Sequence, residues 1–117
     1  MKTLFYLGNC GTCQRIIADW QPLEGIEMRE IKSEAITEAE IDAMQRLAGS
    51  YEALFSRVAL KYRAMKLNEQ QLEEADYRRL ILEEYTFLKR PVLLLDQKIF
   101  IGNTAKNVAA AKAALHP

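Results

Sequence analysis

Two cysteines, Cys10 and Cys13, stand three positions apart with Gly11 and Thr12 between them. The thiolate, not the thiol, is the nucleophile and the metal ligand. Such spacing fits a redox pair, two unrelated buried cysteines, or half of a zinc site. A structural zinc needs four ligands. The only other candidate here is His116, so a zinc would have to be shared between two chains. One histidine also leaves no Cys-His pair to activate a nucleophile, and His116 is expected to be solvated. Activation of a thiol must come from the backbone and from cations.

The surroundings of the cysteines favour the redox reading. Thr3 to Leu7 is rich in β-formers and stops at Gly8-Asn9, which predicts a strand ending in a turn. Gln14 to Trp20 continues as a helix with Ile16, Ile17 and Trp20 on one face, and Pro22 closes it. Cys10 then sits at the start of a helix, where unpaired N–H groups and the positive dipole end favour thiolate over thiol. Cys10 would attack, and the more shielded Cys13 would resolve the mixed disulfide. Gly11-Thr12 keeps the two sulfurs within reach of each other. Arg15 could add to the positive potential or point to solvent.

Arg90-Pro91 is the second feature. Proline cannot donate a ladder hydrogen bond, so Pro91 must sit at a strand's first residue or edge. A cis-proline turn there, opposite the cysteine helix, would expose backbone to a substrate beside Cys10. Arg90 would face the same cleft and offer a planar donor fork to an oxyanion or a glutathione carboxylate. The competing reading is an ordinary surface arginine. Arg57, Lys61, Arg63 and Lys66 form an acid-free basic stretch. Arg57 and Lys61, four apart, are expected to share a helix face. That face could hold an anion near the thiolate, contact an acidic partner, or simply be solvated.

The elements that would position these residues follow in order. Ile26 to Ile31 alternates and reads as a second strand. Thr37 and Glu40 form a capping box with Ile36 and Ile41 at the staple positions. Ile41, Met44, Leu47 and Ala48 supply that helix's buried face, and Gly49 ends it. Ser50 is expected to cap another helix with Leu54, Phe55 and Val58 inward. Asn68 is expected to cap a third carrying Leu72. A break near Asp76 is expected to start a fourth with Tyr77, Leu80, Ile81 and Tyr85. Val92 to Leu95 reads as a buried strand, Asp96-Gln97 as a tight turn and Ile99 to Ile101 as its hairpin partner. Thr104 or Asn103 caps a last helix to about Leu115. The order β-α-β, helices, β-β-α predicts an α/β fold: a four-stranded mixed sheet with helices on both faces and a helical insertion, about 37–86, between strands two and three.

Composition narrows the partners. The chain has 117 residues, 16 basic and 16 acidic, which fits a single domain spanning 1–117. A neutral chain has no global field for nucleic acid or an anionic membrane. No stretch approaches the ~20 apolar residues of a spanning helix. Thr3–Leu7 is too short for the core of a signal peptide, so a cytoplasmic location is expected. No resident cofactor and no metal is expected.

The pattern strand, Asn9-Cys10-Gly11-Thr12-Cys13, long helical insert, Leu88-Lys89-Arg90-Pro91-Val92, hairpin, Gly102 resembles the ArsC/Spx family of thioredoxin-like proteins. The resemblance covers nearly the whole chain and includes Tyr62-Arg63 in the middle region. It implies that Cys10 is the nucleophile, that Arg90 helps to bind an oxyanion and that Pro91 is a cis-proline. Gly11, Thr12, Arg57 and Pro91 are the implied substrate-binding residues, with Cys10, Cys13 and Arg90 catalytic. It further implies an arsenate reductase-like oxidoreductase with glutathione as co-substrate and glutaredoxin as partner. The family's arginine in the final hairpin has no counterpart in Phe100-Ile101-Gly102-Asn103. Cys13 and the spacing of Gly49 and Arg57 resemble Spx-like regulators. The alternative they imply is a redox-switched contact with the α-subunit of RNA polymerase.

Overall fold

The structure is a computed structural model describing residues 1–117. Its elements run β1 (Lys2–Tyr6), α1 (Gly11–Trp20), β2 (Glu27–Glu30), α2 (Glu38–Ala48), α3 (Leu60–Ala64), α4 (Glu74–Glu83), β3 (Val92–Leu95), β4 (Lys98–Ile101) and α5 (Ala105–Leu115). Two compact units result: Met1–Glu34 with Arg90–Pro117, and the insert Ala35–Lys89.

The first unit holds the whole sheet, in the order β2-β1-β3-β4. β1 pairs in parallel with β2, placing Phe5 opposite Arg29. It pairs antiparallel with β3, placing Leu4 opposite Leu93. The expected mixed sheet is therefore present. α1 and α5 both pack on the face that carries Leu4 and Leu93, with Ile16, Trp20 and Ala111 completing a buried cluster. The Trp20 indole N–H donates to the Val108 carbonyl at 3.1 Å, so the largest core side chain keeps its polar edge satisfied. His116 is exposed but not simply solvated: its Nε2 lies 2.8 Å from the Trp20 carbonyl oxygen. That contact ties the end of α5 to the last turn of α1.

In β2 the buried position is Arg29, only 8% exposed, while Met28 is 39% exposed. The Arg29 guanidinium lies over the Phe5 ring at 5.5 Å and pairs with Glu34 at 3.3 Å. Cation–π contact and an ion pair together allow an arginine where an aliphatic residue would be ordinary.

The insert departs from the expected run of helices. α2 forms as read, with Thr37 and Glu40 in a reciprocal capping box and Gly49 ending it at φ 96°. Beyond it, Ser50 caps only a short 3-10 turn, Glu52–Leu54, by accepting the Ala53 N–H at 3.1 Å. Leu54 and Phe55 are buried, but Val58 is 90% exposed. Arg57 lies outside any helix and α3 begins only at Leu60, so Arg57 and Lys61 share no helix face. Asn68 sits inside another 3-10 turn, Leu67–Glu69, and caps nothing. α4 starts before Asp76, whose carboxylate accepts the Glu73 N–H at 2.9 Å. Tyr85 falls in a third short turn.

Tertiary contacts explain these departures. Phe55 and Leu88 form an isolated antiparallel bridge, and the Ser56 N–H donates to the Phe87 carbonyl at 2.7 Å. The Phe55 ring stacks on Phe87 at 5.1 Å and leans on Tyr77 at 4.9 Å. An extended Phe55 strip with an aromatic cluster has replaced a helical turn.

Asp42 links α2 to α4. It accepts from the Tyr51 hydroxyl at 2.6 Å and from Arg78 Nε at 2.9 Å. These donors, Arg78 first, hold its pKa down to about 2, against 3.8 ordinarily. A depressed carboxylate pKa stabilises the fold above the unfolded value and loses that contribution as the pH falls through the folded value. The urea midpoint is therefore expected to drop between the ordinary 3.8 and about 2, and Asp42→Asn is expected to flatten the drop in that window.

Candidate functional site

Cys10 is the N-cap of α1, with extended backbone (φ −101°, ψ 116°) and no side-chain cap hydrogen bond. The helix runs from Gly11, so the cysteine pair occupies its start as expected, Cys10 as the N-cap and Cys13 in the first turn. Cys10 is half-buried and Cys13 buried, and both thiols are free.

The backbone N–H of Cys13 is the strongest influence on the Cys10 sulfur. The Cys13 thiol, the Thr12 N–H and the Arg90 charge act in the same direction, and together they hold Cys10 below the ordinary thiol range despite partial burial. Burial pushes Cys13 above it, opposed in part by the Leu7 backbone. The negative charge on Cys10 raises Cys13 further. One thiol is thus biased toward ionisation and its neighbour toward retaining its proton.

Arg90 and Pro91 reach the same end of the sheet from β3. The Arg90–Pro91 peptide bond is cis. Pro91 is buried, and its carbonyl accepts the Gly102 N–H at 2.8 Å. Gly102 adopts φ 88°, a left-handed conformation that suits glycine at the end of β4. The structure therefore brings together Cys10, Gly11, Thr12, Cys13, Arg90 and Pro91 within one unit. Arg15 folds back so that its Nη2 lies 3.3 Å from the Thr12 hydroxyl.

Arg57 belongs to the insert. Its Nη2 donates to Glu52 at 2.7 Å and to the Tyr77 hydroxyl at 2.9 Å. Its guanidinium lies 5.9 Å from the Phe55 ring centroid and 5.6 Å from that of Tyr77. Lys61 pairs with Glu84 at 2.8 Å. The basic stretch is thus partly neutralised, by Glu52 five residues before Arg57 and by the more distant Glu84.

Two polar contacts near Cys10 had no signal in the sequence. Glu30, at the end of β2, accepts the Gly8 N–H at 2.7 Å. The Gln14 amide donates to the Gly8 carbonyl at 2.7 Å. The partners are 22 and 6 residues apart, beyond the reach of local motif rules.

A cysteine at a helix start and a cis-proline at the same end of a four-stranded mixed sheet define a thioredoxin-like fold. The chain belongs to the ArsC family, whose model matches residues 5–111. No curated protein matches it. Among solved structures it is similar to an arsenate reductase from Vibrio cholerae, at 12% identity and TM-score 0.78, covering 93% of this chain and 95% of that one. It is also similar to an arsenate reductase (ArsC) related protein from Brucella melitensis, at 23% identity and TM-score 0.69, over 93% and 92% of the two chains. A protein of Staphylococcus aureus COL aligns at 23% identity and TM-score 0.73, over 94% and 97%. These likenesses concern the fold. No helix is long and apolar enough to cross a membrane.

Iodoacetamide at about pH 6.5, below the ordinary thiol pKa of ~8.5, is expected to label Cys10 before Cys13. Arg90→Gln is expected to slow Cys10 labelling by less than the ~10-fold of a one-unit pKa change. Peptide mass mapping over time checks both. Equal labelling of the two cysteines would contradict the site's electrostatics.

Proposed function

We propose that this chain is an ArsC-type thiol oxidoreductase that reduces a small oxyanion of the arsenate class, with Cys10 as nucleophile. The observation that carries the reading is the Cys10 sulfur at the start of α1, held below the ordinary thiol range by backbone donors, the Cys13 thiol and the Arg90 charge. Family membership supports thiol-based redox chemistry in general.

In the proposed cycle the Cys10 thiolate attacks pentavalent arsenic, and one oxygen leaves as water after taking up protons. A covalent S–As bond results. A second thiol, from Cys13 or glutathione, then attacks the Cys10 sulfur. The S–As electron pair stays with arsenic, which leaves as trivalent arsenite, and the two sulfurs become a disulfide. Two electrons pass from two thiols to one arsenic. Glutathione, or glutaredoxin acting with it, returns two electrons to the disulfide. Arg90 stabilises the oxyanion charge as it develops, and Gly11, Thr12 and Pro91 shape the space around it. Arg57, implied by the resemblance as a further anion-binding arginine, lies in the insert and is paired there with Glu52.

Incubation with arsenate, glutathione, glutaredoxin and a NADPH-coupled glutathione-reducing system is expected to give NADPH loss that Cys10→Ser abolishes. Turnover no higher than in that variant would defeat the arsenate reading.

A second reading is favoured by the Cys10–Cys13 thiol contact, which would let the two thiols join in a disulfide within the chain when a two-electron oxidant of the peroxide class takes up their electrons and protons and leaves as water. In that reading the pair is an Spx-like switch governing contact with the α-subunit of RNA polymerase. The reduced and oxidised forms are then expected to differ in how well they capture the isolated carboxy-terminal domain of that α-subunit in a pull-down. Absence of binding in both states would remove the regulator.

A further inference from the structure

We propose that Glu30 is a positioning residue for Cys10, its carboxylate fastening the Gly8–Asn9 turn that delivers the thiol to the start of α1. The inference rests on the reading of Cys10 as nucleophile and adds the device that holds it in place.

Glu30 ends β2, the strand beside β1. Its Oε2 accepts the Gly8 N–H at 2.7 Å. Its Oε1 accepts the N–H groups of Lys32 at 2.9 Å and Ser33 at 2.7 Å. One carboxylate thus anchors the turn after β2 and the turn after β1 together. Hydrogen bonds from N–H groups to an ionised acceptor are the strong kind, and the Glu30 carboxyl is accordingly held below its ordinary pKa, chiefly by Gly8.

Gly8 is gripped on its other side as well. Its carbonyl accepts from the Gln14 amide of α1 at 2.7 Å, and the Cys10 N–H closes the turn onto the Leu7 carbonyl at 3.2 Å. The approach of Glu30 is close. A Cβ on residue 8 would lie 3.3 Å from both Glu30 Cγ and Oε2, tighter than ordinary van der Waals contact. Glycine at this position leaves room for the carboxylate.

The consequence for chemistry is geometric. The Cys10 sulfur draws its acidity chiefly from the N–H groups of Cys13 and Thr12, three and two residues ahead, and such interactions weaken steeply with misalignment. A turn released at Gly8 lets the sulfur drift away from them. Glu30 touches neither thiol nor substrate in this scheme; it acts through the backbone.

The test is the pH profile of Cys10 alkylation in the full chain, with circular dichroism to monitor the fold. Glu30→Gln removes one acceptor oxygen and turns an amide toward the backbone donors. Its profile is expected to move to higher pH, with labelling at about pH 6.5 slowed ~3-fold or more, the change expected from half a pKa unit. Glu27→Gln removes the same charge from the same strand without touching Gly8, and is expected to leave the profile unchanged. An unchanged profile in folded Glu30→Gln overturns the proposal. So does an equal shift in Glu27→Gln, which would make the effect one of net charge. If Glu30→Gln does not fold, Gly8→Ala perturbs the same contact from the other side; a shift there supports the proposal and an unchanged profile overturns it. Failure of the underlying reading is separate, because it would appear as no preference for Cys10 in the unsubstituted chain.

Discussion

Strand β1 is hydrogen-bonded along both edges, parallel to β2 and antiparallel to β3, and Leu4 and Phe5 are fully buried on its two faces. A strand held this way cannot slip, since a one-residue shift would exchange its two faces. Everything at the site is counted from it. Its end fixes the Gly8–Asn9 turn, and the turn fixes the residue at which α1 begins. β3, paired on its other side, brings the Arg90–Pro91 turn to the same end of the sheet. The thiol and the cation that favours its ionisation come from opposite ends of the sequence, and one strand aligns both.

The polar contacts around this frame take over where the ladder stops. Beyond Tyr6 the chain leaves the sheet, and Gly8 has no strand partner for its N–H. A buried or half-buried donor left unmatched is costly. Glu30 matches it from β2, and Gln14 matches the carbonyl from α1. The Gly102 N–H plays the corresponding part for Pro91, just past the last paired residues of β3 and β4. This end of the sheet is finished by single hydrogen bonds to backbone groups, a sensible construction where the backbone must turn sharply and yet stay fixed.

Much of the fold was legible in the sequence because its signals are local. Thr37 and Glu40 sit three residues apart and cap α2 as expected. Thr104 does the same for α5, and Asp96-Gln97 joins β3 to β4. Cys10 and Cys13 could be placed because a β-rich run precedes them and an amphipathic run follows. The insert between Ser50 and Glu73 was not legible. Its short turns are held by the Phe55–Leu88 bridge and by aromatic contacts across the insert, so apolar residues there follow no single period. Val58 and Leu60 lie in the open, against any reading that places apolar residues inward. Glu30 was invisible for a related reason. In a strand it reads as one more solvated acid, and only the chain returning past it as Gly8 gives it a partner.

The opposite bias of the two thiols has a consequence for the order of events. A resolving thiol that ionised early would compete with Cys10 for substrate and would repel its negative charge. Burial works against this by raising the Cys13 pKa, and negative charge on Cys10 adds to the restraint. In the proposed cycle the charge on the Cys10 sulfur passes to the oxygens of the bound oxyanion, and one of the forces holding the proton on Cys13 weakens. The Leu7 backbone and Arg90 continue to favour the Cys13 thiolate. In the proposed cycle, bond formation at the first sulfur would therefore ease ionisation of the second. That coupling follows from two sulfurs sharing the start of one helix.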